Sequence, residues 1–413
     1  MNGEQIKPSY KRTEVGVIPE DWDLKPLGEF VSYTNGKAHE KSIIDHGTFV
    51  VVNSKFISTE GLIRKYSQHC FCPASRGDVL MVMSDVPNGR AIAKCYWVER
   101  NNAYTVNQRI CILKPLRIDG KLLFYMLNRN PFYLAFDDGA KQTNLRRGDV
   151  LTCPLGVPKS EAEQRAIATA LSDIDALLAQ LDQLITKKRD LKQAAMQQLL
   201  TGQTRLPGFS GDWKIRQLGE IGEVSGAGVD KTINPGEVSV LLLNYLDVYK
   251  KNFLRSAEFS QEVTAKPDQV RRCAVQRGDI FFTPSSEVRD DIGHSAIALE
   301  DMPDVVYSYH VVRLRLVEDW DVLFRAYAFK SKYFMDQAST QCEGSGTRYV
   351  ITLPKFRAIT VRFPTDVAEQ NAIATILFEM DSELTTLEVR REKIKALKQG
   401  MMQELLTGRI RLI

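Results

Sequence analysis

Residues 158–206 of this chain lie over residues 364–412 without a gap, a shift of 206 residues (158 to 364), and about half the positions are identical. A duplication of this quality restricts the fold to one built twice, and it has to be found before anything else is read. Ala162–Thr169 repeats as Ala368–Thr375 with one mismatch, and the Leu-Leu-Thr-Gly of Leu199–Gly202 returns as Leu405–Gly408. The preceding segments correspond more loosely. Asp21-Trp22 matches Asp212-Trp213, and Arg76-Gly77-Asp78-Val79 matches Arg277-Gly278-Asp279-Ile280. The chain therefore reads variable, constant, variable, constant, with boundaries at 1–158, 159–206, 207–364 and 365–413. After Thr201-Gly202 the chain runs on to Asp212-Trp213, whereas Thr407-Gly408 is followed by only five residues. The N-terminal run Gly16–Pro19 into Asp21-Trp22 supplies the missing continuation if the arrangement is cyclic and pseudo-two-fold.

The constant segments read as helices. Ser160 with Glu163, and Asp366 with Glu369, have capping-box spacing just after Pro158 and Pro364. Apolar residues then alternate by four and three: Ile167, Leu171, Ile174, Leu178, Leu181 and Ile185, and in the second copy Ile373, Leu377, Met380, Leu384 and Leu387. That is the seam of an antiparallel coiled coil, closed by a Thr-Gly stop. Forty residues at 1.5 Å each make a rod of roughly 60 Å. Lys188, Lys192, Arg391 and Lys398 interrupt the seam, which implies C-terminal halves that splay apart or face another protein.

The variable segments alternate short β-type runs with turn residues: Thr48–Val52, Val79–Met83, Ile110–Leu113, Val240–Leu243, Ile280–Thr283 and Val311–Leu316. Short helices are expected at Leu122–Leu127 and Leu323–Phe329. The fold class is α+β: two mixed α/β domains, each with a curved sheet, separated by two long helices.

Chemistry-bearing motifs are scarce. The sequence has no phosphate-binding Gly-rich loop, no nucleophile elbow, no His-Glu-x-x-His and no Asn/Asp-Pro-Pro-Tyr/Phe loop. His69-Cys70-Phe71-Cys72 with Cys95 has the wrong spacing for a zinc pair and no counterpart in the other half. Asp85, Asp290 and Asp291 read as solvated turn residues. The N-terminus lacks the apolar core of a signal peptide, no run of about 18 apolar residues exists, and seven cysteines suit reduced thiols in a cytoplasm. Residues 1–158 carry 21 Lys+Arg against 16 Asp+Glu, and residues 207–364 carry 20 against 21. A near-neutral domain can still read DNA if a partner supplies most phosphate contacts.

Taken together, Pro19–Trp22 and Gly211–Trp213, the Gly-Asp strands at Gly77–Leu80 and Gly278–Phe281, the polar closing loops at Gly139–Asn144 and Gly344–Arg348, and the Glu-Gln helix starts at Glu163-Gln164 and Glu369-Gln370 resemble the specificity (DNA-recognition) subunits of type I restriction–modification systems. The resemblance spans essentially the whole chain. It implies two target-recognition domains, each reading half of an interrupted, asymmetric site in double-stranded DNA, and a helix pair that docks two modification subunits. It also implies a single copy per complex and no membrane association. S-adenosylmethionine would sit in the methyltransferase partners, ATP and Mg in restriction subunits, and no cofactor or catalysis in this chain. Two alternatives stay open: the equivalent subunit of a both-sides-cutting enzyme, and a coiled-coil scaffold that binds protein and not DNA.

Sequence is read by polar side chains at base edges, so the candidate contacts are the loops after the Gly-Asp strands and the closing loops. These are Ser84, Asn88, Arg90, Lys141, Gln142 and Asn144 in the first domain, and Ser285, Ser286, Arg289, Arg348 and Tyr349 in the second. Arg348-Tyr349 stands where the first loop has Gln142-Thr143. Gln108 and His310 sit at matched strand starts, and Glu163-Gln164 and Glu369-Gln370 read as helix caps. If the helices act as a ruler, four residues inserted within 181–185 add roughly 6 Å. Methylation sequencing should then show a spacer longer by about one or two base pairs, at about 3.4 Å per step along one strand, with both half-sites unaltered. An active complex that keeps the original spacing would disprove the ruler.

Overall fold

The computed structural model describes residues 8–87 and 89–413. It divides into two compact units: the described residues up to Leu181 with Arg390–Ile413, and Asp182–Val389. Each unit holds one globular α/β domain, the first part of the long helix that follows it, and the last part of the other long helix.

In the first unit a four-stranded antiparallel sheet runs in the order Val31–Asn35, Ile110–Pro115, Val79–Val82, Cys95–Trp97. A second sheet joins Tyr104–Val106, Phe49–Val52 and Tyr66–Ser67. The all-apolar run Val79–Val82 is what lets the two coexist. All four side chains are fully buried, but they face opposite ways. Val79 and Met81 join a core with Leu122 and Leu123 of the helix Gly120–Leu127. Leu80 and Val82 join a separate core with Val52 and Phe56.

The second unit repeats the plan with a five-stranded and a four-stranded sheet. Ile280 and Phe282 face the core that contains Phe324 of the helix Val322–Ala328, and Phe281 faces the other. The expected strands and short helices are present, but the core of each domain is built on two larger sheets, with smaller strand pairs beside them, where a curved sheet was expected. A run buried on both faces hides that division from the sequence.

The Gly-Asp pairs make the turns that open these strands. Gly77 and Gly278 have φ of +94° and +87°, conformations that favour glycine. Asp78 accepts the Ser75 amide at 2.7 Å, and Asp279 accepts the Gln276 amide at 2.9 Å while pairing with Arg315. Each domain is then closed by its own ends, Trp22–Pro26 against Pro154–Pro158 and Trp213–Gln217 against Thr360–Pro364.

The long helices span Glu161–Leu199 and Val367–Leu405. Their Glu-Gln starts do more than cap. Glu163 is 2% exposed and meets Arg411 at 2.5 and 2.8 Å; Glu369 is fully buried and meets Arg205 at 2.6 and 2.7 Å. Gln164 and Gln370 donate to the carbonyls of Pro158 and Pro364 and accept the amides of Asp119 and Asp321. Each arginine follows a Thr-Gly exit, so the start of one helix is clasped to the end of the other and the pairing is antiparallel. Arg411 also grips Asp21 at 2.8 and 3.0 Å. The hydrogen bonds to Glu163 and then Asp21 raise the guanidinium's pKa above its ordinary value, and Arg411 holds the Asp21 carboxyl below its own.

The exits are packed too. Gly202 and Gly408 are left-handed, and a Cβ on either would lie 3.0 Å from Trp213 or Trp22. The Tyr10 hydroxyl donates to the Gly408 carbonyl at 2.9 Å. The N-terminal segment thus supplies the continuation of the second copy, as the cyclic reading requires.

The lysines in the seam do not splay it. Within the second unit Lys192 pairs with Asp381, Lys188 pairs with Glu383 at 2.7 Å, and the Tyr327 hydroxyl donates to Asp381 at 2.9 Å. Within the first, Lys398 pairs with Asp175 at 2.5 Å and the Tyr125 hydroxyl donates to Asp175 at 2.7 Å. The charges are absorbed by carboxylates on the facing helix. Removing one member of a buried ion pair strands the other. Glu369→Gln should therefore lower unfolding free energy by about 3 kcal/mol, measured by urea denaturation. The double variant Arg205→Met/Glu369→Leu should recover most of that stability, and no difference between the two variants would show that the pair is not a stabilising unit.

Candidate nucleic-acid interface

The structure brings the two candidate loops of the first domain together. Ser84–Asp85 pairs antiparallel with Thr143–Asn144, Asn144 opposite Ser84. The Gln142 side-chain amide donates to Ser84 Oγ at 2.8 Å and to Asn144 Oδ1 at 3.2 Å. Ser84 is buried, so its hydroxyl orients Gln142 and does not face solvent. Arg90, Lys141, Gln142 and Asn144 are exposed. Asn88 lies outside the described residues.

Both loops are held by aspartates. Asp85 accepts the amides of Val86, Ala91 and Ile92 at 2.9, 2.6 and 3.0 Å, and Gly89 leaves room for its carboxylate, since a Cβ there would fall 2.2 Å from Asp85 Cγ. Asp138 accepts the amides of Ala140 and Lys141, which hold its carboxyl below the ordinary range. Asp85 is thus an anchor where a solvated turn residue was expected. Two exposed cations escaped the sequence reading: Arg146, and Arg147, whose guanidinium lies 5.6 Å from the Tyr33 ring centre. Their signal was an Arg-Arg pair just past the closing loop of the more basic domain.

In the second domain Ser285–Ser286 pairs with Arg348–Val350, Ser286 opposite Tyr349. Asp85 opposes Thr143 in the first domain, so Tyr349 occupies the place of Thr143 and Arg348 that of Gln142. Arg289 lies over the Tyr349 ring at 5.6 Å, a cation–π contact joining the two candidate loops. Ser286 Oγ accepts the Val288 amide at 3.1 Å.

These strands border a cleft of about 600 Å³, which Tyr245, Tyr249, Lys231 and His310 also line. Tyr245 and Tyr249 project from the short helix Tyr245–Lys250 and stack with ring centres 6.0 Å apart. They were missed because a short helix between strands carries no polar-loop signature. Asp291 accepts the Tyr249 hydroxyl at 2.8 Å and contacts His294 Nε2 at 2.7 Å, while Asp290 accepts the Ser339 hydroxyl at 2.6 Å. Both were expected to be solvated turn residues; Asp290 is exposed and Asp291 partly so, and each is also bonded. Gln108 and His310 diverge: Gln108 donates to the Glu40 carboxylate, whereas His310 faces the cleft.

The Cys-rich segment makes no joint site, because Cys72 and Cys95 lie in different cores. Among the described residues no group of three His, Cys, Asp or Glu side chains could hold a metal ion, and no helix is long and apolar enough to cross a membrane.

Duplicated domains, each with polar loops paired by short strands, on a clasped helix pair are the features that the comparisons with known proteins bear on. The chain matches the family described as type I restriction modification DNA specificity domain over residues 19–188 and again over 210–398, and it belongs to that family. The type I restriction enzyme MjaVIII specificity subunit of Methanocaldococcus jannaschii is 22% identical over 412 residues, covering 95% of this chain and 94% of the relative. The fold is shared with the S subunit of the type I restriction–modification system from M. genitalium, at TM-score 0.58 and 16% identity, covering 93% of this chain and 96% of that one. It is shared equally with a chain solved for the complex assembly and conformational transition of a type I system, at TM-score 0.57 and 16% identity, covering 95% and 99%. The protein is a specificity subunit: it recognises DNA sequence within a restriction–modification assembly and carries out no catalysis itself.

Proposed function

We propose that each of the two domains reads one half of an interrupted, asymmetric duplex site through its paired loops, and that the helix pair docks two modification subunits on a single copy of this chain. The observation that carries this reading is the equivalent strand pairing in both units, Ser84 opposite Asn144 and Ser285 opposite Val350, around side chains that differ. One scaffold carrying two different polar surfaces suits a target with two different halves. Gln142, Asn144, Lys141 and Arg90 face the first half-site, with Ser84 and Asp85 setting their geometry. Ser285, Ser286, Arg289 and Tyr349 face the second. The modification subunits bring S-adenosylmethionine and methylate adenine. Restriction subunits bring ATP and Mg, and the assembly works in the cytoplasm.

Two experiments test this. Lys141→Ala with Gln142→Ala should weaken binding to the specific duplex by roughly 1–3 kcal/mol for each base that is no longer hydrogen-bonded; unaltered affinity and sequence preference would remove that loop from the interface. Exchanging the first domain at 158–163 for that of another family member, while keeping Asp21 and Trp22, should alter one half-site in methylation sequencing. A shift in both half-sites would mean that the domains are not separate readers.

A further inference from the structure

The cleft of the second domain has a mixed lining. Tyr245, Tyr249 and the strand Ser285–Ser286 line it, tied together where the Tyr245 hydroxyl donates to the Ser285 carbonyl at 2.9 Å. Lys231, His310 and Arg348 line it as well, with Glu287 and Asp291 the acidic groups among the lining residues. Lys231 and Arg348 are exposed. They come from separate segments, one before the strand Val238–Leu243 and one in the closing hairpin; a bridge between Val229 and Ser308 brings the Lys231 segment beside that of His310, and all three residues line the one cleft. The imidazole rests against the Tyr309 ring, centre to centre 4.0 Å. This gathers cations in a domain whose Lys+Arg number 20 against 21 Asp+Glu, so the positive charge is placed and not merely abundant.

We infer that Lys231, His310 and Arg348 together hold one backbone phosphate of the second half-site, while the stacked tyrosines and Ser285–Ser286 face the bases. This rests on the proposed reading and deepens it, because it separates the groups that position the duplex from those that read it. Burial first, and then Lys231 and Arg348, hold the His310 pKa below its ordinary value, with Asp230 acting the other way; Glu287 and Asp291 are the carboxylates that line the cleft with it. A phosphate between the three groups offsets the cations and favours protonation. Binding then takes up a proton, and affinity rises as pH falls from about 8 to 6.

The test uses the full chain assembled with its methyltransferase, with fluorescence anisotropy on the specific duplex and on a scrambled one. Lys231→Ala and Arg348→Ala should each weaken both duplexes by the same several-fold factor and reduce the slope of log affinity against log salt by about 0.9. Lys231→Arg should keep the slope, His310→Gln should abolish the pH dependence, and the methylated motif should stay the same. A broadened motif with an unaltered salt slope would make these residues base readers and overturn the assignment. So would displacement of the duplex by inorganic phosphate at matched phosphate concentration, which would mark a site for the free anion. Wild-type complex that fails to prefer its specific duplex would overturn the recognition reading itself, whereas intact preference with unaltered variant slopes overturns only the phosphate assignment.

Discussion

Everything in the scaffold leans on a carboxylate buried at the start of each long helix. Glu163 and Glu369 are removed from water and compensated by one guanidinium apiece, reached from the far end of the other helix. Dehydrating a carboxylate is costly unless its oxygens are satisfied, so the two helix ends must stay together. The adjoining glutamines bind the domain's last strand and its short-helix cap in the same stroke. A coiled-coil seam alone resists sliding only weakly. Two bidentate clasps, with Lys192–Asp381 in one unit and Lys398–Asp175 in the other, specify the register chemically.

Within each unit the packed strands leave the recognition surface free to vary. Val79–Val82 and Ile280–Phe282 are consumed by packing on both faces, leaving their outgoing ends to carry Ser84 and Ser285. The loops beyond are shaped by aspartates bonded to backbone amides, and turns held in that way tolerate many outward-facing side chains. The same positions can therefore present an amide network in one domain and an arginine–tyrosine contact in the other.

Much of this architecture was legible in the sequence because it rests on periodicity and duplication. The strands, the helix seam and the cyclic closure all follow from apolar spacing and matched motifs, whereas the pairing of the two loops within each domain appears only in the structure. What escaped depends on distant partners. The clasps join residues 164 and 248 positions apart, and nothing local to Glu163 announces Arg411. Once the helices are taken as antiparallel, however, the Arg-Leu that follows both Thr-Gly exits is the signal that could have revealed them. The seam lysines misled because a charge at an apolar position has two readings, and only the facing carboxylate decides between them. Tyr245 and Tyr249 were invisible for a simpler reason: a helix of six residues has too little periodicity to show which face is wet.

The separation of the clasp residues also sets an order of events at the ribosome. Arg205 is made before Glu369, so the second clasp can close as soon as its glutamate emerges. Glu163 is made 248 residues before Arg411. At ordinary elongation rates that interval is roughly 12–50 s. Throughout it the first domain has all its strands but lacks the cation that neutralises the carboxylate at its base. The nascent first domain thus waits, incompletely locked, until a residue 248 positions further on seals what the first half began.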